Sequence, residues 1–382
     1  MTARAARRAT PRPDERGFAT AAVAVRLAIR TRATVVAAAL LAACSATPAQ
    51  APAEARPAWQ VRAAGGAAPI EPGTGDARLL DARGCAGCHA AIAAEWATSR
   101  HALAWTNELF QREFRGRPLA WCVNCHAPLT TQQAGRYRDA GVDCATCHVR
   151  AGRLVNARTR PGSPHATVAD PSFGSPAFCA DCHQFTFPVL TAAGQVTRMT
   201  AHPMQSTVAS FRAGPYAREA GGCMACHGSR ANHAFAGGHD PQMLAAALDV
   251  TWCRRGDALE VAVRNASAGH SVPTGDIHRH FNLRLWRSSA PEALFEAFLG
   301  RRFDPVDDGG KRTVWDSTIA PQATQQHAVP LARLGGEPGE PINLELTYVF
   351  LETDVPRAVL GEPGFTSVLR RRAAPDELPA CP

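Results

Sequence analysis

Gly141-Val-Asp-Cys144-Ala-Thr-Cys147-His148 places two thiols and an imidazole within five residues. Positions i, i+3 and i+4 share a face on one helical turn, so Cys144, Cys147 and His148 point the same way. That array is the signature of covalent haem attachment: the thiols add to the vinyl groups and the imidazole lies under the iron. Moving outward, the same spacing recurs in Cys85-Ala-Gly-Cys88-His89, Cys122-Val-Asn-Cys125-His126, Cys179-Ala-Asp-Cys182-His183 and Cys223-Met-Ala-Cys226-His227. With 13 Cys and 14 His in 382 residues, a random match would arise roughly 0.02 times per chain, so five are a designed series. Zinc knuckles and thiol redox pairs need only Cys-x-x-Cys and leave the repeated His unexplained. Five covalently bound haem c groups are therefore predicted, with His89, His126, His148, His183 and His227 as proximal iron ligands.

The motifs span residues 85–227, about 29 residues per haem, too thin a chain to build an ordinary apolar core. The porphyrins must serve as core, with Trp96, Trp105, Trp121, Phe173, Phe178, Phe185 and Phe187 packed around them. The predicted architecture is multidomain. A mostly short-helix and loop multihaem cytochrome c domain over 77–246 precedes an antiparallel β-sandwich domain over 247–382.

Second axial ligands decide whether an iron only carries electrons or also binds a substrate, because an iron closed on both sides has no open position. The proximal set leaves nine His, enough to close every iron. His101, His165, His233, His239 and His270 are the predicted distal ligands, lying near motifs or in the first loop of the β region. His202 is next in line. His278, His280 and His327 fall in the β region and read as structural, and Met199 and Met204 read as packing.

The formal charge of +8 suggests a nucleic-acid or anionic-membrane partner until it is located. Residues 1–43 hold eight Arg against Asp14 and Glu15, a net of +6, and so leave only +2 for the remainder. Each ferric haem c adds about −1 and each ferrous one about −2 through its propionates, so the mature protein becomes acidic and no nucleic-acid partner is expected. The uncharged run Ala33–Ala43 is long enough for a secretory signal and too short to span a bilayer, so 1–43 reads as a signal peptide. It ends Leu41-Ala-Ala-Cys44, the pattern of a lipoprotein signal in which the Cys is acylated. Residues 44–76 are rich in Pro and Ala without periodicity and read as a tether. This predicts a periplasmic or cell-surface protein, an outer-membrane lipoprotein held to the membrane through lipidated Cys44.

Beyond Ala247 the pattern turns to period two: Leu259, Val261, Val263; Phe281, Leu283, Leu285; Ile342, Leu344, Leu346, Tyr348, Phe350. Such alternation marks half-buried strands, and Gly-containing turn clusters between them complete the sandwich reading. Cys253 and Cys381 remain once the haem cysteines and Cys44 are set aside, and in an oxidising compartment they most simply pair.

Gly84-Cys85 to His101, with Trp96-x-x-Ser99-x-His101 after the motif, resembles the multihaem cytochrome c family that includes the tetrahaem electron acceptor of hydroxylamine oxidoreductase. Gly141 to His148, Phe178 to Phe185 and Gly269 to Asp276 resemble later parts of related bacterial proteins. The resemblance implies haems in stacked and perpendicular pairs, mostly with His/His ligation, exchanging electrons with redox partner proteins and other cytochromes. This chain departs from it in carrying five motifs and a C-terminal β region. The expected function is electron transfer. The alternative is a multihaem oxidoreductase with one open haem acting on a small nitrogen or sulfur compound. Lys311 is the only Lys, so no motif replaces its proximal His by Lys.

Overall fold

The computed structural model describes residues 69–159, 161–218, 221–228, 233–307, 309–351 and 364–382, all within one compact unit, Ala55–Pro382. The predicted signal peptide, Cys44 and most of the tether lie outside these residues. Among the described residues, no helix is long and apolar enough to cross a membrane.

Each motif sits on or beside a short helix that its own sequence starts. Asp143 caps Cys144–His148 by accepting the Thr146 amide, and Ser175 caps Pro176–His183 by accepting the Phe178 amide, with Pro176 in the first turn where its missing N–H costs nothing. Helices Ala82–Ala86, Ala120–His126 and Met224–His227 carry the first, second and fifth motifs, the first running past its helix through a turn to His89. Backbone bonds from His89 N to Cys85 O (2.9 Å) and from His227 N to Cys223 O (3.0 Å) close the single turn that aligns thiols and imidazole.

This part also contains strands. Two short antiparallel strands, β1 (Val149–Arg150) and β2 (Arg153–Asn156), are joined by β3 (Thr167–Ala169), which is parallel to β2. A long antiparallel hairpin, β4 (Gln184–Leu190) and β5 (Val196–Ser206), follows the fourth motif. The mostly short-helix and loop domain thus also holds these five strands. Phe185 and Phe187 alternate inward and are buried, a period-two signal that the adjoining helical motif obscures in the sequence.

The C-terminal part is two antiparallel sheets. One has three strands in the order β11-β7-β6: β6 (Leu248–Arg255), β7 (Ala258–Asn265) and β11 (Thr324–Pro330). The other has five, β10-β9-β8-β12-β13: β8 (His280–Arg287), β9 (Ala290–Pro305), β10 (Lys311–Asp316), β12 (Ile342–Val349) and β13 (Phe365–Ala373). Val261 and Val263 from the first sheet and Leu283, Leu285, Leu344 and Leu346 from the second form one core. This is the sandwich that the alternation predicts. Cys253 and Cys381 are joined by a disulfide that ties the C-terminus to β6.

Several contacts stitch the sandwich to the haem-motif part. Ser271 N donates to Ser210 Oγ (2.7 Å) and the Thr207 and Thr274 hydroxyls share a 2.6 Å bond, so helix Thr207–Ala213 holds the loop after β7. Arg301 of β9 donates to the Met204 carbonyl at 2.8 Å, and Phe187 meets Phe303 edge-on.

Candidate functional site

All ten motif cysteines and all ten predicted His ligands line one continuous cavity of about 2400 Å³. Shared among five sites this is about 480 Å³ each, within the roughly 300–1,000 Å³ of a cofactor-sized pocket. None of the ten thiols is in a disulfide.

The imidazoles are oriented from behind. His126 Nδ1–H donates to Ala104 O (2.6 Å), His148 to Val155 O (3.0 Å), His227 to Ala236 O (2.7 Å) and His270 to Ser271 O (2.9 Å). A carbonyl only accepts, so each Nδ1 carries the proton and leaves the Nε2 lone pair for a metal. The Gln205 side-chain amide faces His183 Nδ1 at 3.1 Å. Burial lowers the pKa of His126, His148 and His270, and takes His101 and His183 down to about 4. At neutral pH these rings are therefore uncharged, as ligation requires.

Four pairs of rings face each other across the cavity. Ring centroids are 6.0 Å apart for His89 and His165, 6.3 Å for His101 and His183, 6.5 Å for His148 and His233, and 6.2 Å for His227 and His270. An iron bound by two imidazole nitrogens at about 2 Å each, with each nitrogen about 1.1 Å from its ring centre, separates the centroids by about 6.2 Å. The donor set and its spacing thus fit haem.

The second motif differs. Phe110 stacks on the His126 ring at 3.6 Å, fixing its plane, with Trp105 and Phe114 behind. No imidazole is among the described ring contacts of His126. His239, expected as a distal ligand, lines the same cavity and stacks on Phe350 at 3.8 Å. The charged groups acting on His126 are Asp276 and Arg279.

Thiol contacts set the order of the sites. Cys85 and Cys144 are hydrogen-bonded, as are Cys179 and Cys223, and Cys147 interacts with Cys182. His148 feels His89, and His183 feels His101, His227 and His270. The first, third, fourth and fifth motifs are therefore consecutive neighbours.

Three polar residues that the sequence reading passes over hold this arrangement. Gln132, fully buried, accepts the Leu129 amide and donates to Gly141 O at 2.8 Å. Asn265, also fully buried, ties the loop that carries His270. Gln205 sits behind His183. Only the context of packing distinguishes them from any surface amide. His202, His280 and His327 do not line the cavity, and His280 is buried against Phe298.

Residues 84–149 match the family model described as cytochrome c554 and c-prime. In fold the chain is similar to a penta-heme cytochrome c552 from Thermochromatium tepidum, at 19% identity and a TM-score of 0.58, covering 78% of this chain and 99% of that one. No curated protein matches the chain in sequence. The match over residues 84–149, the similar fold and the motif-lined cavity agree in fitting this site to covalently attached haem.

Proposed function

We propose that the chain carries five haem c groups and serves as a secreted pentahaem electron carrier. Four irons are held between imidazole pairs: His89 with His165, His101 with His183, His148 with His233, and His227 with His270. The observation that carries this reading is the set of four ring separations of 6.0–6.5 Å. Haem c supplies reversible one-electron chemistry when bound. The protein's part would be to offer two imidazoles to each of four irons and to keep the first, third, fourth and fifth motifs next to one another. The five Cys-x-x-Cys-His motifs and the similar fold of a penta-heme cytochrome c552 support the count, and the resemblance to multihaem cytochromes c supports the role. Pyridine-haemochrome analysis should give five haems per chain, and three or fewer would refute it.

The proposed location is the periplasmic face of the outer membrane or the cell surface, with acylated Cys44 as anchor and other cytochromes as partners. The run before Leu41-Ala-Ala-Cys44 supports it. Cys44→Ser should move the protein from the detergent phase to the soluble fraction. A wild-type protein that is soluble with an unmodified N-terminus would show simple secretion.

A second reading rests on His126: its ring contact is Phe110 and none of the four imidazole pairs includes it, so the second iron would have an open axial position where small molecules bind. Carbon monoxide added to the reduced protein should then alter about one fifth of the haem absorbance. A silent response would return His239 to that iron as the fifth distal ligand and leave a pure carrier.

A further inference from the structure

Lys311, the one lysine of the chain, lines the cavity beside Gly309 and Gly310, where β9 turns into β10. The register fixes the side on which it lies. Lys311 pairs with Pro305 and Thr313 with Phe303 without a bulge between them, and cross-strand partners and alternate residues share one side of a sheet. Lys311 is therefore on the side of Phe303, whose ring meets Phe187 of β4 at 5.3 Å. The turn is pressed onto the same strand. Gly309 is left-handed at φ +85°, and a Cβ on it would come 3.3 Å from Val189 Cγ1.

The two sides of this hairpin differ in charge. On the far side Arg312 is opposite Asp304, an exposed pair of unlike charges. On the cavity side Lys311 is opposite Pro305, and among the described residues its ammonium meets no carboxylate. A second unmet donor stands against the same strand. Trp121, next to Cys122, lines the cavity and packs edge-on to Phe185 of β4 at 5.4 Å, and its buried Nε1–H meets no acceptor in the protein. Leaving such a donor unmet costs about 1–3 kcal/mol. This part of the cavity is therefore shaped for a group that accepts hydrogen bonds and carries negative charge. Of the parts of a haem c, the two propionate carboxylates do both.

We propose that Lys311 and Trp121 hold the propionates of one haem, with Lys311 as counter-ion and Trp121 as neutral donor, and that the sandwich thereby sets the potential of that haem. The proposal rests on the haem-bearing reading of the motifs and adds to it two positioning residues outside the Cys-x-x-Cys-His series. A cation beside the carboxylates offsets the negative charge that reduction adds, so it favours the ferrous form. The sandwich then tunes the array as well as supplying His270.

The test is a spectropotentiometric titration of the full-length haem-loaded protein, with haem content counted on the same samples. Lys311→Gln removes the charge and should shift the reduction equilibrium of one haem about tenfold toward the ferric form, a fall of about 59 mV in its midpoint, with haem content and the other midpoints kept. Lys311→Arg, which keeps a cation there, should recover most of the fall. Trp121→Phe, which keeps a ring and deletes the donor, should lower the same midpoint by a smaller step. Arg312→Gln, one residue along and on the other side of the strand, should leave every midpoint in place. Unchanged midpoints in Lys311→Gln or Trp121→Phe protein of full haem content would overturn the proposal. An Arg312→Gln shift as large as that of Lys311→Gln would also overturn it, since any charge on the hairpin would then act alike. A parent protein without covalent haem would instead refute the reading on which the proposal rests.

Discussion

Asn265→Ala is the perturbation that most directly tests how the sandwich positions a ligand for the haem array. Asn265 ends β7 and is fully buried; its Nδ2 donates to His270 O (2.9 Å) and Ile319 O (3.0 Å), and its Oδ1 accepts the Ala268 amide (3.0 Å). Truncation leaves the His270 carbonyl and the Ala268 amide without partners, while Ile319 O keeps the Val272 amide at 3.0 Å. Two orphaned groups at about 1–3 kcal/mol each, partly relieved by water because Ala268 and His270 are half-buried, give a cost of about 2–4 kcal/mol. Asn265→Asp keeps the shape and the Ala268 bond but turns a carboxylate oxygen toward two carbonyls, so its cost at neutral pH should be at least as large. The loop also sets the 6.2 Å separation of His270 from His227, so both variants should raise the high-spin fraction of one haem. Urea melts followed in the far ultraviolet and spin-resonance spectra of the same samples check the two effects. A melting free energy within about 0.5 kcal/mol of the parent, with an unchanged spectrum, would refute the role assigned to this side chain.

Three further outcomes follow from particular contacts. Replacing Cys253 and Cys381 by Ser opens a cross-link across 128 residues and should cost about 2–5 kcal/mol, measured as the shift of the urea midpoint against the oxidised, disulfide-bonded parent. Burial raises the Asp143 carboxyl pKa to about 6 from an ordinary 3.8. The unfolded chain then ionises first as pH climbs, so stability falls by about 3 kcal/mol between about pH 4 and 6, and Asp143→Asn, which keeps the helix cap, should abolish that fall in pH-dependent melts. Gly141 is left-handed, and a Cβ there would sit 2.6 Å from His101 O. Gly141→Ala should therefore cost more than the about 1–2 kcal/mol of the backbone alone and disturb the haem served by His101, read as a new high-spin signal.

Charge linkage and ligand geometry meet in the same short stretch, which explains why one segment carries so much of the fold. Gly141 approaches the turn at His101, Val142 N donates to His101 O, Trp96 Nε1–H donates to Val142 O, and Asp143 starts the helix of the third motif. The eight-residue run from Gly141 to His148 thus fixes a proximal ligand of one site and a facing imidazole of another.

The sequence by itself determined what one helical turn or one strand can encode. Cys144, Cys147 and His148 need only local geometry to bind a haem, and the other motifs repeat that geometry, so attachment and proximal ligation are legible without any tertiary information. Leu259, Val261 and Val263, alternating and buried in β7, are legible for the same local reason. The hairpin at Phe185 and Phe187 was masked because a helical motif runs straight into it. What only the tertiary structure decided is which distant imidazole faces which motif. His101 meets His183 and His233 meets His148 across tens of residues of chain, and loop closure over such distances depends on buried amides such as Gln132 and Asn265 that no local pattern marks. The same holds for His239, near the fifth motif in sequence yet stacked on Phe350 of the sandwich, because the aromatic face and the two arginines that receive it come from elements folded in from both ends of the described chain.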